Sequence, residues 1–218
     1  MIITKIKQIA KTNRYHIYAD DKWFGIFLDE TLAFHKIKTG DDFEESVLEK
    51  IKFENDKKLS FDMAVSYMEK YIVTEKGVKD YLRKKNFSEQ TIKSTIEKLH
   101  SYNLINDERF AKEYFASMSK SQGKNNIINK LRLKGISKEI IDELLENIDE
   151  DSQIENAIAL AKKFVKNREK SAKTKQKCLA HLVYKGYDYP VALKATKEAI
   201  DFENEGENDD WIWFATSW

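Results

Sequence analysis

The chain has 218 residues and a formal net charge of +1, and charged residues make up 34% of it against 41% hydrophobic residues. This balance is typical of a water-soluble helical protein more than of a compact enzyme, and no apolar run is long enough to cross a membrane. The N-terminus lacks the apolar segment that a signal peptide contains, so we expect a cytoplasmic protein that does not associate with a membrane.

The first forty residues predict a small β-rich domain. Arg14–Asp20 alternates apolar and polar side chains, and Lys22–Leu28 is rich in aromatic and branched residues. Asp20 and Asp21 predict a tight turn between these two strands. Further strands are expected in Ile2–Ile9 and Glu30–Ile37.

A short helix and a linker are predicted to close this domain. Phe43, Val47 and Ile51 recur at four-residue spacing, which is typical of one face of a helix. The segment Phe53–Ser60 is polar and rich in lysine, and it is interpreted as a linker. The predicted N-terminal domain, with its short helix and linker, therefore covers residues 1–59.

A seven-residue element occurs three times in the rest of the chain, with its first leucines 49 and 51 residues apart. The three copies are Leu82–Ser88, Leu131–Ser137 and Leu182–Asp188. In each copy a leucine and a basic residue end one helix, a residue that tolerates a left-handed backbone follows, and a polar residue can cap the next helix. The left-handed residues are Asn86, Gly135 and Gly186, and the capping residues are Ser88, Ser137 and Asp188. A helical period of this length predicts a tandem helical array.

Apolar residues at helical spacing from Phe61 onward predict three helices in each repeat. Pro190 is expected in the first turn of the last helix, where a missing N–H costs nothing. The fold class is therefore mainly α, with a small β-rich N-terminal domain in front of three tandem three-helix repeats. The predicted boundaries are 60–105, 106–149 and 150–200 for the repeats and 201–218 for an acidic, tryptophan-rich tail.

The boundary between the first two repeats reads Leu104-Ile105-Asn106-Asp107-Glu108-Arg109-Phe110-Ala111, followed by Tyr114. Together with the three repeated elements, this segment resembles the sequences of the RecX family, the bacterial regulators of the RecA recombinase. The resemblance covers roughly residues 60–200, and the β-rich domain is similar to an extension that some members carry. Asn86 departs from the usual glycine, and the tail matches no part of the family pattern.

The resemblance implies a regulator without enzymatic activity. Family members bind RecA filaments on DNA, lie in the filament groove and suppress filament extension, ATP hydrolysis and strand exchange. It also implies that the repeats form an elongated, curved array. We therefore expect RecA filaments and single-stranded DNA as partners, a monomeric chain, and a role in DNA recombination and the SOS response.

The charges of the chain are segregated along its length. Residues 1–59 sum to zero, residues 60–200 carry +7 and residues 201–218 carry −6. Basic residues recur in the second helix of each repeat and just before the last of these helices, which predicts a basic stripe that contacts DNA phosphates or an acidic face of RecA. The candidates are Lys79, Arg83, Lys84, Lys85, Lys124, Lys130, Arg132, Lys134, Lys162, Lys163, Lys166, Arg168, Lys173, Lys175, Lys177 and Lys185.

Plainer interpretations stay open at this point. Each lysine taken alone can be part of a solvated helix surface, and the chain as a whole can be a stand-alone nucleic-acid-binding protein or a structural scaffold. The residues Arg109, Phe110 and Tyr114, with Asn86, Gly135 and Gly186, are interpreted as structural, holding helix ends and repeats together. Sequence-specific reading of DNA is not expected, because the third helix of the second repeat is acidic.

Catalysis has little support in the sequence. The four histidines have no partner at metal-ligand spacing, and no glycine-rich phosphate loop is present, so no catalytic residue, metal or cofactor is predicted. Cys178 lies in an apolar periodic run and is expected to be a buried structural thiol. For the tail, two hypotheses stay open: Trp211, Ile212 and Phe214 cap the last repeat, or the acidic run competes with nucleic acid for the basic stripe.

Overall fold

The computed structural model describes residues 1–200, which fall into two compact units: unit 1 is Met1–Phe110, and unit 2 begins at Ala111. The chain is mostly helical behind a three-stranded N-terminal sheet, which confirms the predicted fold class. The strands are β1 Ile3–Gln8, β2 Arg14–Ala19 and β3 Lys22–Leu28. The helices are α1 Asp29–Phe34, α2 Glu45–Met68, α3 Glu75–Lys84, α4 Glu89–Ser101, α5 Asp107–Met118, α6 Lys124–Leu133, α7 Lys138–Glu146, α8 Glu150–Val165, α9 Ala172–Tyr184 and α10 Tyr189–Ala199.

The sheet is antiparallel in the order β1-β2-β3, so the first three predicted strands are confirmed. Asp20 and Asp21 form the turn between β2 and β3 with φ of 47° and 61°, in the left-handed region that tight hairpin turns need. The predicted strand Glu30–Ile37 is wrong, since its first part forms α1. Asp29 and Glu30 occupy the first helical turn, where acidic side chains stabilise the helix dipole.

The predicted short helix and the linker at Phe53–Ser60 are wrong as separate elements, because α2 runs through both. Asn55 is only 1% exposed, and its side chain binds the edge strand β3. Its Oδ1 accepts from the backbone N–H of Leu28 at 2.9 Å, and its Nδ2 donates to the carbonyl oxygen of Ile26 at 2.8 Å. The polar segment is therefore part of a helix, and its buried Asn55 is satisfied by the backbone of the sheet.

Each unit has its own apolar core. In unit 1 the sheet packs its inner face, including Ile3, Ile17 and Phe27, against Leu48 and Ile51 of α2. A second cluster of unit 1 joins the C-terminal part of α2 to α3 and α4. In unit 2 the helices α8, α9 and α10 share a core of small and medium side chains. These residues are Ala157, Ala161, Val165, Cys178, Leu182, Tyr187, Ala192, Ala195 and Ile200.

Cys178 is fully buried in this core, and burial raises the pKa of its thiol, so the predicted structural thiol is confirmed. Pro190 lies in the first turn of α10, as predicted. The predicted repeat boundaries stay a prediction, and the acidic, tryptophan-rich tail lies outside the described residues. None of the helices in residues 1–200 is long and apolar enough to cross a membrane.

The three repeated turns adopt the predicted backbone. Asn86, Gly135 and Gly186 have φ of 63°, 86° and 91°, which confirms the left-handed conformation at each helix end. Ser88 and Ser137 accept from the backbone N–H groups of Thr91 and Ile140 and so cap α4 and α7 as predicted.

Asp188 stands at the N-cap position of α10 but makes no side-chain capping bond, so the third predicted cap is wrong. Its carboxylate is instead engaged by residues of α6. The turn that contains Asp188 therefore serves a contact between helices in addition to ending α9.

Candidate nucleic-acid interface

Within unit 2, the N-terminus of α6 binds the turn between α9 and α10. The backbone N–H of Gly123 donates to the carbonyl oxygen of Lys185 at 2.9 Å, and that of Asn125 donates to Gly186 at 3.1 Å. The Nδ2 of Asn126 donates to the carbonyl oxygen of Tyr184 at 2.9 Å. Because the first N–H groups of a helix have no partner within it, this turn caps α6 from a distant part of the chain. We call this contact the α6–turn junction.

Close backbone approach makes the junction possible. A Cβ atom at Gly123 would lie 2.3 Å from the backbone of Gly186, and one at Gly186 would lie 2.6 Å from Asn126. Neither glycine can therefore carry a side chain without moving the two segments apart.

Asp188 adds charge to the junction. Its Oδ2 lies 2.6 Å from the Nζ of Lys124, and its Oδ1 accepts from the Nδ2 of Asn125 at 2.7 Å. Partial burial raises the pKa of Asp188, but the hydrogen bonds from Lys124 and Asn125 outweigh that effect and hold it below its usual value. Lys124, a candidate for DNA or RecA contact, therefore has a structural partner in this fold.

We expect Asp188→Ala to lower the free energy of unfolding of unit 2 at pH 7 by about 1 kcal/mol, a modest value because the ion pair is partly exposed. Since the folded state lowers the pKa of this carboxyl, its contribution is present above the ordinary pKa of about 3.9 and is lost as the pH falls through the lower folded value. Urea unfolding at pH 7 and at pH 3 measures both effects. Asp142→Ala, an exposed acid on α7, is the matched control; an equal loss in the two variants would contradict the prediction.

The basic residues of α3 are held in ion pairs within unit 1. Lys79 Nζ lies 2.5 Å from Glu75, and Arg83 contacts Glu89 at 2.7 Å and Asp80 at 3.1 Å. Lys85 Nζ lies 5.7 Å from the ring centre of Tyr81. Lys84 is exposed and makes no ion pair within residues 1–200. Much of the positive charge on α3 is therefore balanced locally.

The remaining candidates on α6 and its C-terminal end contact neutral groups. Lys130 Nζ donates to Gln122 Oε1 at 2.7 Å, and Arg132 donates to Asn129 at 3.4 Å. Lys134 Nζ lies 5.4 Å from the ring centre of Tyr114. These contacts orient the side chains, and neither Lys130 nor Arg132 forms an ion pair within residues 1–200.

The densest group of cations surrounds the connection from α8 to α9, and we call it the α8–α9 basic surface. Its members are Lys162, Lys163, Lys166, Arg168, Lys173, Lys175, Lys177 and Lys185. Lys163, Lys166, Lys173 and Lys177 are exposed and make no ion pair in the part of the chain that the structure describes. Lys162 lies 3.8 Å from Glu198, an exposed and loose pair.

His181 shows that cations of this surface converge. Its ring stacks on Phe164 with 4.8 Å between centres, and the guanidinium of Arg168 lies 3.7 Å from the centre of the Phe164 ring. The pKa of His181 is lowered by partial burial and further by the positive charges of Lys185 and Arg168. Arg168 and Lys185 therefore bring two positive charges close to His181, an arrangement that favours an anionic partner.

The segment Leu104–Ala111 at the predicted repeat boundary contains the start of α5. Asn106 Oδ1 accepts from the backbone N–H of Arg109 at 2.7 Å, and Phe110 is 6% exposed. Asp107 Oδ1 accepts from the backbone N–H of Glu75 at 2.9 Å, which joins the start of α5 to the start of α3. Burial raises the pKa of Asp107. Sequence reasoning missed this role of Asp107 because its partner is distant in the chain.

The described residues were also compared with the requirements of a metal site. Within residues 1–200, no three side chains of histidine, cysteine, aspartate or glutamate come together as a metal site would require.

Comparison with known proteins gives a consistent result. Residues 106–145 match the model of the second three-helix domain of RecX. The chain is 34% identical to the regulatory protein RecX of Bacillus pumilus, over 95% of this chain and 81% of the relative, and 34% identical to that of Clostridium botulinum, over 92% and 97%. A crystal structure of regulatory protein RecX superposes with a TM-score of 0.62 at 25% identity, covering 87% of this chain and 96% of the other. The RecX structure from Lactobacillus salivarius also gives 0.62, at 27% identity, over 67% and 97%.

Proposed function

This chain belongs to the RecX family of regulatory proteins, and from that premise we propose that it binds RecA filaments on DNA and limits their growth, ATP hydrolysis and strand exchange. It acts by binding, without catalysis of its own. We place it in the cytoplasm as a monomer.

The observation that carries this proposal is the α8–α9 basic surface. Four of its lysines are exposed and have no ion pair within residues 1–200, whereas Lys79 and Arg83 of α3 are paired with acids. Unpaired cations release counterions from DNA when they bind phosphates, and they attract acidic protein surfaces in the same way. Unit 2 therefore supplies the main electrostatic contact with the filament.

The mechanism follows from the nature of a filament. RecA subunits and DNA present a repeating, charged groove, and a protein bound across neighbouring subunits restrains their movement. Such a protein blocks the addition of the next subunit or the motions that ATP hydrolysis requires. In this proposal the α8–α9 basic surface contacts DNA phosphates or acidic RecA side chains, and the buried cores of the units keep it rigid.

The test is the ATPase rate of the cognate RecA on single-stranded DNA while this protein is titrated in. We expect the rate to fall at far less than one molecule per RecA subunit, because a protein that acts on filament growth affects many subunits at once. Electron microscopy of the same samples should show shorter filaments.

The control repeats this titration at a fixed RecA concentration and at several concentrations of single-stranded DNA. If inhibition begins only when this protein saturates the DNA itself, the chain competes for nucleic acid without contacting the recombinase. That outcome would replace the proposal with a stand-alone nucleic-acid-binding protein.

A further inference from the structure

The outer face of the N-terminal sheet is exposed and has one sign of charge. The three strands contain Lys5, Lys7, Arg14 and Lys22 and no acidic residue, although residues 1–59 carry equal numbers of acids and bases. All the acids of this region therefore lie outside the three strands. Because the net charge of the domain is zero, it does not reveal this separation of basic strands from acidic surroundings.

The strand register places aromatic rings among these cations. Tyr18 pairs with Lys5 on one side and Trp23 on the other, and His16 pairs with Lys7. Cross-strand partners point to the same face of a sheet, and residues two apart on one strand do so as well. Lys5, Lys7, His16, Tyr18 and Trp23 therefore share one face, which we call the outer sheet face.

The side-chain contacts agree with this register. The Nζ of Lys5 lies 5.7 Å from the ring centre of Tyr18, and the indole Nε1 of Trp23 donates to His16 Nδ1 at 3.2 Å. Trp23 is nevertheless 55% exposed, so the hydrogen bond fixes its ring at the surface instead of burying it. The core residues Ile3, Ile17 and Phe27 lie on the opposite face, because the pairing of β1 with β2 shifts between Ile3 and Lys5 and that of β2 with β3 shifts between Ile17 and Tyr18, which reverses the alternation at each of these points.

The turn between β2 and β3 contains two acids, and neither forms an ion pair with a lysine of this face within residues 1–200. Asp20 and Asp21 lie in the turn between β2 and β3, and the carboxylate of Asp20 accepts from the backbone N–H of Ile2 at 2.8 Å. No ion pair of Lys5 or Lys7 exists within the described residues. The outer sheet face thus combines fixed aromatic rings with unpaired lysines.

We propose that the outer sheet face binds single-stranded DNA, with bases stacking on Trp23 and Tyr18 and phosphates meeting Lys5 and Lys7. Unstacked bases pair well with exposed aromatic rings, whereas a duplex keeps its bases inside, so a single strand fits this surface. The site needs no RecA, and the choice of DNA over RNA rests on the proposed function. The full chain then holds a second contact with the strand, separate from the α8–α9 basic surface.

Fluorescence of Trp23 gives a direct test in the full-length chain without RecA. Changing Trp211, Trp213 and Trp218 to phenylalanine leaves Trp23 as the sole tryptophan. Added oligothymidylate should quench its emission, because a stacked base contacts the indole. The quenching should persist when Lys173 and Lys177 are changed to glutamine. Absence of quenching at saturating oligothymidylate would overturn the site.

Affinity measurements on the otherwise unaltered chain complete the test. Trp23→Ala should weaken oligothymidylate binding about tenfold, while Phe34→Ala, which removes an aromatic ring 82% exposed on α1, should leave it unchanged. Lys5→Gln with Lys7→Gln should lower the slope of log affinity against log salt by about 1.4, and Lys38→Gln with Lys50→Gln should not. The proposal is contradicted if Trp23→Ala weakens binding no more than Phe34→Ala, or if the two double-lysine variants change the slope equally.

Stronger quenching of Trp23 by oligouridylate or by duplex DNA would overturn the assignment to single-stranded DNA. Inhibition of the RecA ATPase is measured in a separate experiment, so a lack of inhibition would contradict the proposed function without bearing on DNA binding by the outer sheet face.

Discussion

Replacing Gly186 with alanine is expected to destabilise unit 2 by about 4 kcal/mol. Two unfavourable contributions add. Residues other than glycine rarely adopt a φ of 91°, so alanine strains the backbone, and its Cβ would lie only 2.6 Å from Asn126, which is a steric clash. The second cost pushes the N-terminus of α6 away from the turn that caps it. Gly123→Ala should cost about 3 kcal/mol through close contact alone, since its φ of −76° suits any residue.

Hydrogen exchange measured by mass spectrometry checks this prediction region by region. A loss of 3 to 4 kcal/mol corresponds to exchange faster by about two orders of magnitude or more in α6, α9 and α10, with unit 1 unchanged. Gly40→Ala is the control for the backbone cost, because Gly40 has a φ of 95° and nothing within 4 Å of its Cβ position. If Gly186→Ala costs no more than Gly40→Ala, close packing at the α6–turn junction is not what stabilises unit 2.

The second large effect is expected from removing three cations of the α8–α9 basic surface together. Changing Lys166, Lys173 and Lys177 to glutamine should lower the slope of log affinity for single-stranded DNA against log salt by about 2. Each phosphate contact on a single strand contributes roughly 0.7 to that slope, so the loss at 0.1 M salt is about 100-fold. Half-inhibition of the RecA ATPase should need at least about tenfold more protein.

The matched control is Lys138→Gln with Lys194→Gln and Lys197→Gln. These three lysines are also exposed on helices of unit 2, and the change in net charge is the same. Filter binding at several salt concentrations compares the two variants directly. Equal losses would mean that net charge, and not the α8–α9 basic surface, governs binding.

Local rules explain why the helix ends were predictable. Asn86, Gly135 and Gly186 could be placed in left-handed turns from the sequence because few residues tolerate that backbone, and the serines that follow them cap helices through bonds three residues away. The strands were predictable for a similar reason, since the alternation of apolar and polar residues along β2 reflects one buried and one exposed face of the sheet. All of these signals act within a few residues.

The errors share the opposite cause. Phe53–Ser60 was interpreted as a linker because it is polar, yet Asn55 is buried against the backbone of β3, which lies 27 residues earlier. Asp188 was expected to cap its own helix but binds Lys124 and Asn125, more than sixty residues away. A polar residue with a distant partner has the same sequence signature as one in solvent.

By itself, then, the sequence determined the helical class, the turns that end the helices and the segregation of charge along the chain, because these depend on neighbouring residues and on composition. Only the tertiary structure decided which cations have acidic partners, which glycines touch, and that Lys5 and Trp23 share a sheet face. Those properties depend on distances between residues far apart in the chain, which burial of the apolar cores brings together and no local pattern encodes.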